Sequence, residues 1–389
     1  MQTAKRLESI NEYYFSQKLR EIDLLNKAGK NVINLGIGSP DLPPHPDVIT
    51  TLNSESVKPS THGYQNYKGS PILRKAIADW YAKWYHVDLD PDTEILPLIG
   101  SKEGIMHICM TFLEEGSIAL IPNPGYPTYK SAVTLAGGRA IEYDLTPESD
   151  WYPDYQTLAE IVGRYKAGTV LMFVNYPHMP TGQLPLKTKM EELIRFATEH
   201  NILLVHDNPY SFILNDEPMS LLSFHGAKDV VIELNSLSKS HNMAGWRVGM
   251  MCATKERINE VLKFKSNMDS GMFLPLQLAA ATALGLGEEW HKTVNDIYLA
   301  RQRKVFELLN LLGCGYNQTQ AGLFVWAATP TGYHDGYALS DTVLERASVF
   351  ITPGGIFGSS GLQYVRVSLC ATEDKISEAI ERLKISGLF

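Results

Sequence analysis

The chain is poor in cysteine, and the cysteines it has are not arranged to act together. Four occur in 389 residues, Cys109, Cys252, Cys314 and Cys370, with no C-x-x-C pair. That pattern argues against a disulfide scaffold and suits free or buried thiols in a reducing cytoplasm. No apolar run reaches the roughly 20 residues that span a bilayer, so no membrane partner is expected. Positive charge is not in excess: 35 Lys and Arg against 43 Asp and Glu leave a net charge of −8. This argues against a general nucleic-acid surface. The eleven histidines are dispersed, without metal-ligand spacing. No internal repeat or low-complexity linker is present. The first residues, Met1-Gln-Thr-Ala-Lys-Arg-Leu-Glu8, lack the apolar core of a secretory signal.

What is present is ordinary globular material, 44% apolar and 20% charged, long enough for two domains. Residues 1–45 read as a helical arm and an extended segment that joins a smaller unit. Over 46–285, apolar strand patterns at 95–99, 118–121, 170–175, 202–206, 230–234 and 247–252 alternate with helical ones. That alternation predicts an α/β fold with a doubly wound, mostly parallel sheet. Residues 286–389 read as a small α+β domain, with a long helix over 288–312, strands near 322–327 and 364–369, and a last helix over 373–383. The aromatic cluster Trp80-Tyr-Ala-Lys-Trp-Tyr85 has helical spacing and reads as core or dimer packing.

Chemistry concentrates at the ends of the apolar runs. The segment Asn235-Ser-Leu-Ser-Lys-Ser-His-Asn-Met-Ala-Gly-Trp-Arg-Val-Gly249 follows one of them. It sets the amine of Lys239 between the hydroxyls of Ser236 and Ser238, with Arg247 further on. An amine forms a Schiff base with an aldehyde, and hydroxyls with a guanidinium suit a phosphate. Together they point to pyridoxal 5'-phosphate (PLP). Taken alone, a lysine is most often a solvated surface residue, so the rest of the chain must support the reading. Asp207, in Val205-His-Asp-Asn-Pro-Tyr210, stands just past another strand pattern that Pro209 ends. A carboxylate there can accept from the protonated ring nitrogen of PLP and so keep it charged, and Tyr210 can donate to the ring oxygen; a strand-end Asp also caps turns. In Gly100-Ser-Lys-Glu-Gly104 a tight turn enters a helix, so the N–H groups of Ser101 and Lys102 can meet an anion. In Pro122-Asn-Pro-Gly-Tyr126 a stiff loop presents Tyr126, able to stack on a planar ring or simply to pack half-buried.

In this order and spacing, Asp207-x-x-Tyr210, Ser236-x-Ser-Lys239 and Gly245-x-Arg-x-Gly249 resemble one family. The chain is similar, from about Ile33 to about Ser368, to the fold-type-I PLP-dependent aminotransferases of the aspartate aminotransferase superfamily. The resemblance implies an enzyme that moves an amino group between an L-amino acid and a 2-oxo acid. Lys239 is then the residue that holds the cofactor and carries the proton, with Asp207 on the ring nitrogen, Tyr210 on the ring oxygen and Tyr126 against the ring face. Ser236, Ser238, Arg247 and the Ser101 and Lys102 N–H groups hold the phosphate. Tyr64, in Gly63-Tyr-Gln-Asn-Tyr67, matches a tyrosine that reaches the phosphate from the neighbouring subunit, so a homodimer is implied. Arg366, in Tyr364-Val-Arg-Val-Ser368, matches the residue that grips the substrate α-carboxylate, and Gly38 the backbone contact beside it. The same cofactor residues would serve a PLP-dependent lyase or decarboxylase. A transcription-regulator sensing module of this fold would need a helix-turn-helix domain, for which the residues before 33 leave no room.

One position departs from the family pattern. In Asn175-Tyr-Pro-His-Met-Pro-Thr-Gly182, Met179 stands where an asparagine bonding the ring oxygen is expected. A thioether donates no hydrogen bond, leaving Asn175 or His178 to compensate, or Tyr210 alone. A second departure concerns substrate. Enzymes devoted to aspartate place an arginine from the partner against the side-chain carboxylate, and Lys263-Phe-Lys-Ser-Asn-Met-Asp-Ser-Gly-Met-Phe-Leu274 holds none. The glycine turn at 100–104 and the 266–273 segment look most like the LL-diaminopimelate aminotransferase branch. Phe324 would line the pocket, together with Tyr13 or Tyr14 of the arm. A broader preference for neutral or aromatic amino acids is the competing expectation.

Overall fold

The computed structural model describes every residue except Met1, Ser9, Asn11, Tyr13, Lys166, Ala167 and Phe389, together with all side chains but that of Thr169 among the rest. Seven strands form the main sheet: β1 (Ile95–Leu98), β2 (Ile118–Asn123), β3 (Arg139–Asp144), β4 (Thr169–Val174), β5 (Leu203–Asp207), β6 (Val231–Ser236) and β7 (Gly249–Cys252). Their order is β1-β7-β6-β5-β4-β2-β3. The pairs from β3 through β6 are parallel, and β7 runs antiparallel to both its neighbours.

Alternation along these strands builds two cores, one on each face. Met172, Val174, Leu204 and Val231 pack with Leu73, Ile77 and Trp80 of the helix Pro71–Tyr85 and with Leu193 of Lys187–His200. Leu171, Phe173, Val205 and Ile232 pack with Ile105 and Ile108 of Ser101–Phe112 and with Ile258 and Val261 of Lys255–Lys265. Both faces are therefore covered, as the near-continuous apolar runs require. Strand β3 lies outside the sequence expectation. It is an edge strand whose Arg139, Glu142 and Asp144 are exposed, so it carries no apolar run to announce it.

Local signals set the helix ends. For Pro71–Tyr85, the Ser70 side chain accepts from the Leu73 N–H, a proline occupies the first turn, and His86 closes the helix in the left-handed region. A third core gathers Tyr298, Val305 and Leu309 of Glu288–Leu311 with strands β9 (Phe324–Ala328) and β11 (Tyr364–Ser368). These strands belong to a four-stranded sheet completed by β8 (Gly315–Tyr316) and β10 (Thr352–Pro353), in the order β10-β11-β9-β8. Ile33 and Leu35 pack in this third core, which ties the N-terminal segment to the C-terminal unit. Asp41 reinforces the tie by gripping Arg301 through both carboxylate oxygens, at 2.6 and 2.9 Å. No helix among the described residues is long and apolar enough to cross a membrane.

Candidate active site

The parallel strands end on one side of the sheet, and ligand sites of α/β folds form at that edge. There the loops after β1, β2, β4, β5 and β6 meet β9 and β11 around a cavity of about 560 Å³. It is lined by Gly38, Ser101, Lys102, Tyr126, Asn175, Asp207, Tyr210, Ser236, Ser238, Lys239, Arg247, Phe324 and Arg366. These residues are spread over more than three hundred positions, yet they were each singled out from the sequence. Tyr64 stands elsewhere: it is 96% exposed and does not border its own chain's cavity.

Asp207 ends β5 and is buried. Its Oδ2 accepts from the Tyr129 hydroxyl at 2.9 Å, whereas Oδ1 is buried with no hydrogen-bond partner among the described residues. Burial pushes its carboxyl up to about 6; the Tyr129 hydrogen bond and the nearby His206 act in the opposite direction. Lys239 lies in the short helix that follows β6, and its Nζ donates to the Gly38 carbonyl at 2.8 Å. Burial lowers its amine from the ordinary lysine value; Cys370 opposes this, and Arg366 and Arg247 add to it. A lowered amine is more readily neutral, the form that attacks a carbonyl.

A cradle for an anion lies beside them. Ser101 opens its helix after Gly100, which caps it with no side-chain hydrogen bond. Gly100 has φ +85°, and a Cβ there would lie 2.1 Å from the Arg247 guanidinium. The glycine thus admits Arg247 to the helix start. A Cβ at Gly249 would in turn lie 2.7 Å from the Ser101 nitrogen. Ser236 donates to Ser238 Oγ at 2.9 Å and accepts from its N–H at 3.1 Å, so the two hydroxyls are held together. Exposed Arg247, two serines and a helix N-terminus make a phosphate-sized set of donors.

The opposite wall carries Arg366 of β11. Its Nη2 donates to the Gly36 carbonyl at 2.9 Å, and its guanidinium lies 3.7 Å from the Phe324 ring centre and 4.6 Å from that of Phe357. Met179 Sδ is 3.4 Å from Arg366 Nη1. The methionine therefore joins the arginine wall. Of its two candidate substitutes, Asn175 borders the cavity, with its carboxamide bonded to the Asp207 carbonyl and the Met179 N–H. His178 does not border it; it is buried against Thr181, with its imidazole pushed down to about 3 by burial. The arm also differs from expectation. Tyr13 lies outside the described residues, and Tyr14 faces Tyr337 away from this cavity. Phe15, with Ser16 and Leu19 of the same helix Tyr14–Lys27, is what the arm brings to it.

Lining residues that were not anticipated include Tyr129, Phe15, Ser16, Leu19 and Phe357. Tyr129 had a signal, since it follows Tyr126 by three residues at a helix start. A group of carboxylates and a histidine also assembles outside the cavity, where the sequence shows no ligand spacing. Glu103, His107 and Asp269 place their polar atoms within 4.8 Å of one another. The ammonium of buried Lys265 meets both Asp269 oxygens at 2.6 Å, so a cation of the chain's own already serves this cluster.

A buried amine, an unpartnered carboxylate oxygen and an anion cradle around one cavity fit the chemistry of PLP, for whose ring N–H the orphaned Asp207 Oδ1 could serve as acceptor. The comparisons agree. The model of class I and II aminotransferases matches residues 30–383. An LL-diaminopimelate aminotransferase of Halothermothrix orenii is 42% identical over 391 residues, covering 100% of this chain and 99% of the relative. The substrate-bound BacF structure of Bacillus subtilis superposes with a TM-score of 0.93 at 35% identity, covering 99% and 98% of the two chains. An aromatic aminotransferase of Pyrococcus horikoshii has a TM-score of 0.87 at 29% identity, covering 98% and 97%. The chain belongs to the class I and II aminotransferases, and it is a PLP-dependent enzyme that transfers amino groups.

Proposed function

We propose that the enzyme moves the amino group of an L-amino acid to a 2-oxo acid, with each residue of the cavity in one role. Bound PLP supplies an aldehyde and a ring that accepts electron density from the substrate. Lys239 Nζ would hold the cofactor through that aldehyde and, once the substrate amine has displaced it there, would be free as an amine to take the proton from the substrate Cα and return it. Asp207 Oδ1 keeps a proton on the ring nitrogen. Tyr210 donates to the ring oxygen, Asn175 borders it, and Tyr126 packs on the ring face. Ser236, Ser238, Arg247 and the N–H groups of Ser101 and Lys102 hold the phosphate. Arg366 grips the substrate α-carboxylate by its guanidinium fork, with the Gly38 backbone beside it. The observation that carries this reading is the orphaned Asp207 oxygen in the same cavity as a depressed lysine.

The assignment predicts that an amino acid converts bound cofactor to its amine form and that a 2-oxo acid restores the original spectrum. A lyase or decarboxylase would release ammonia or carbon dioxide without that return, and such an outcome would overturn the assignment. We further place a PLP-binding domain at 46–285 and a small domain at 1–45 and 286–389, in a cytoplasmic homodimer. Exposed Tyr64, Tyr67, Ile72 and Phe273 support the dimer, with Tyr64 completing the partner's phosphate site. Full activity from a monomer in sedimentation would contradict it. LL-diaminopimelate, the substrate in the Halothermothrix relative's name, is one candidate donor.

A further inference from the structure

We infer that the substrate side-chain pocket is built for an apolar or aromatic L-amino acid rather than for diaminopimelate or aspartate. The inference rests on the aminotransferase assignment and on Arg366 as the carboxylate anchor. Lysine, arginine, aspartate and glutamate side chains in the cavity wall number five: Lys102, Asp207, Lys239, Arg247 and Arg366. Asp207 and Lys239 serve the cofactor, Lys102 and Arg247 flank the phosphate cradle, and Arg366 takes the α-carboxylate. Among the described residues of this chain, none of these remains for a charge at the far end of the substrate.

The surroundings of Arg366 point the same way. A substrate anchored there must extend its side chain past the groups that border the guanidinium. Among them are Phe324 at 3.7 Å, Phe357 at 4.6 Å, Phe15 at 5.6 Å and the Met179 thioether at 3.4 Å. Three rings and a polarisable sulfur bury apolar surface well and offer a charged group no hydrogen bond. Gly38 leaves room for Phe324 in this position, since a Cβ there would come within 2.1 Å of the ring.

A longer side chain finds no free charge beyond the rings. A second cavity of about 520 Å³ adjoins the first and shares Phe15, Tyr126 and Phe357 with it. Its charged residues are Glu12, Lys130 and Glu142. Lys130 pairs with Glu142 at 2.8 Å, and Glu12 pairs with Arg20. In the 263–274 segment, Lys265 already meets Asp269 through both oxygens. The distal ammonium and carboxylate of diaminopimelate would thus meet, in these two cavities of this chain, charges already paired or assigned, and a site selects against a polar group it pairs poorly.

The test is rapid mixing of the PLP-loaded enzyme with phenylalanine, methionine, alanine, LL-diaminopimelate and aspartate, reading the loss of the cofactor's original absorbance. Phenylalanine or methionine should exceed diaminopimelate and aspartate in second-order rate constant on the order of a hundredfold. Diaminopimelate or aspartate ranking first would overturn the inference while leaving the aminotransferase assignment standing. No conversion by any of twenty amino acids or diaminopimelate would instead remove the assignment, and the inference with it. Phe357→Ala supplies an internal control. It should lower the ratio of phenylalanine to alanine rate constants about tenfold, a quantity independent of how much enzyme folds. An unchanged ratio would show that the rings around Arg366 do not read the side chain.

Discussion

On the sheet side of the cavity, Asp207 stands in front of a layer of buried polar groups. On the other side, Arg366 stands among rings. Glu233, buried on the neighbouring strand opposite His206, accepts from Tyr81 at 3.0 Å, Ser220 at 2.9 Å and the Leu221 N–H at 2.9 Å, and meets His206 Nδ1 at 2.8 Å. His206 Nε2 faces the Tyr176 carbonyl at 3.1 Å, so this ring too is held from both ends. The sheet side holds fixed charges in fixed places, which a cofactor ring and phosphate require. The side of β9 and β11 holds one charge and a shape. Under the proposed assignment, the first wall serves the common reaction and the second the choice among substrates.

Removing the anchor of the polar wall should have the largest effect on stability. Glu233→Ala leaves four donors without their acceptor, and breaking such a buried network costs about 3–5 kcal/mol. The check is the shift of the denaturant unfolding midpoint relative to Phe357→Ala on the opposite wall. A smaller shift for Glu233→Ala would erase the contrast between the two.

Acid should act on the buried histidines. Burial pushes His178 down to about 3 and His291 to about 4, from an ordinary 6.5. Between these values the unfolded chain binds protons that the folded chain refuses. Their stabilisation is therefore complete above pH 6.5 and is lost as pH falls towards about 4. Thermal unfolding followed from pH 7 to pH 4 should show this decline, and His178→Asn should flatten it. A parallel decline in wild type and variant would exclude His178 as a source.

Two smaller effects sharpen the comparison. Arg366→Lys keeps the charge and loses the fork, so kcat/KM should fall roughly a hundredfold, mostly through KM. A fall in kcat alone would place Arg366 on the chemical step instead. Gly100→Ala forces a Cβ into the Arg247 guanidinium at a left-handed position. PLP affinity should weaken about tenfold by fluorescence titration, with amino-acid ranking unchanged. A changed ranking with unchanged affinity would separate Gly100 from the cradle.

The two walls also differed in how far they could be read from the sequence. Lys239, Asp207 and Ser101 each follow an apolar strand, so strand pattern and residue type place them at one sheet edge before any coordinates. Arg366 and Phe324 lie within strands β11 and β9 and were legible only through the family resemblance. Phe15 and Phe357 were not: one lies in a helical arm and the other in a glycine-rich loop, and neither stands in a spacing that encodes what it meets. Asp269 was hidden likewise, although Glu103 and His107, four apart on one helix, already shared a face. Strand β3 went unseen because an edge strand needs no apolar run. Short-range pattern reveals what a strand end presents, whereas contacts between distant loops are decided by tertiary packing.

The most direct test of the account is to reduce the PLP-loaded enzyme with borohydride and map the fixed cofactor by peptide mass spectrometry. Lys239 should carry the label, and Lys239→Ala should carry none and lose at least about 10⁴-fold in transamination rate. Label on Lys102 or any other lysine, or a Lys239→Ala variant active near the wild-type rate, would contradict the assignment at its centre.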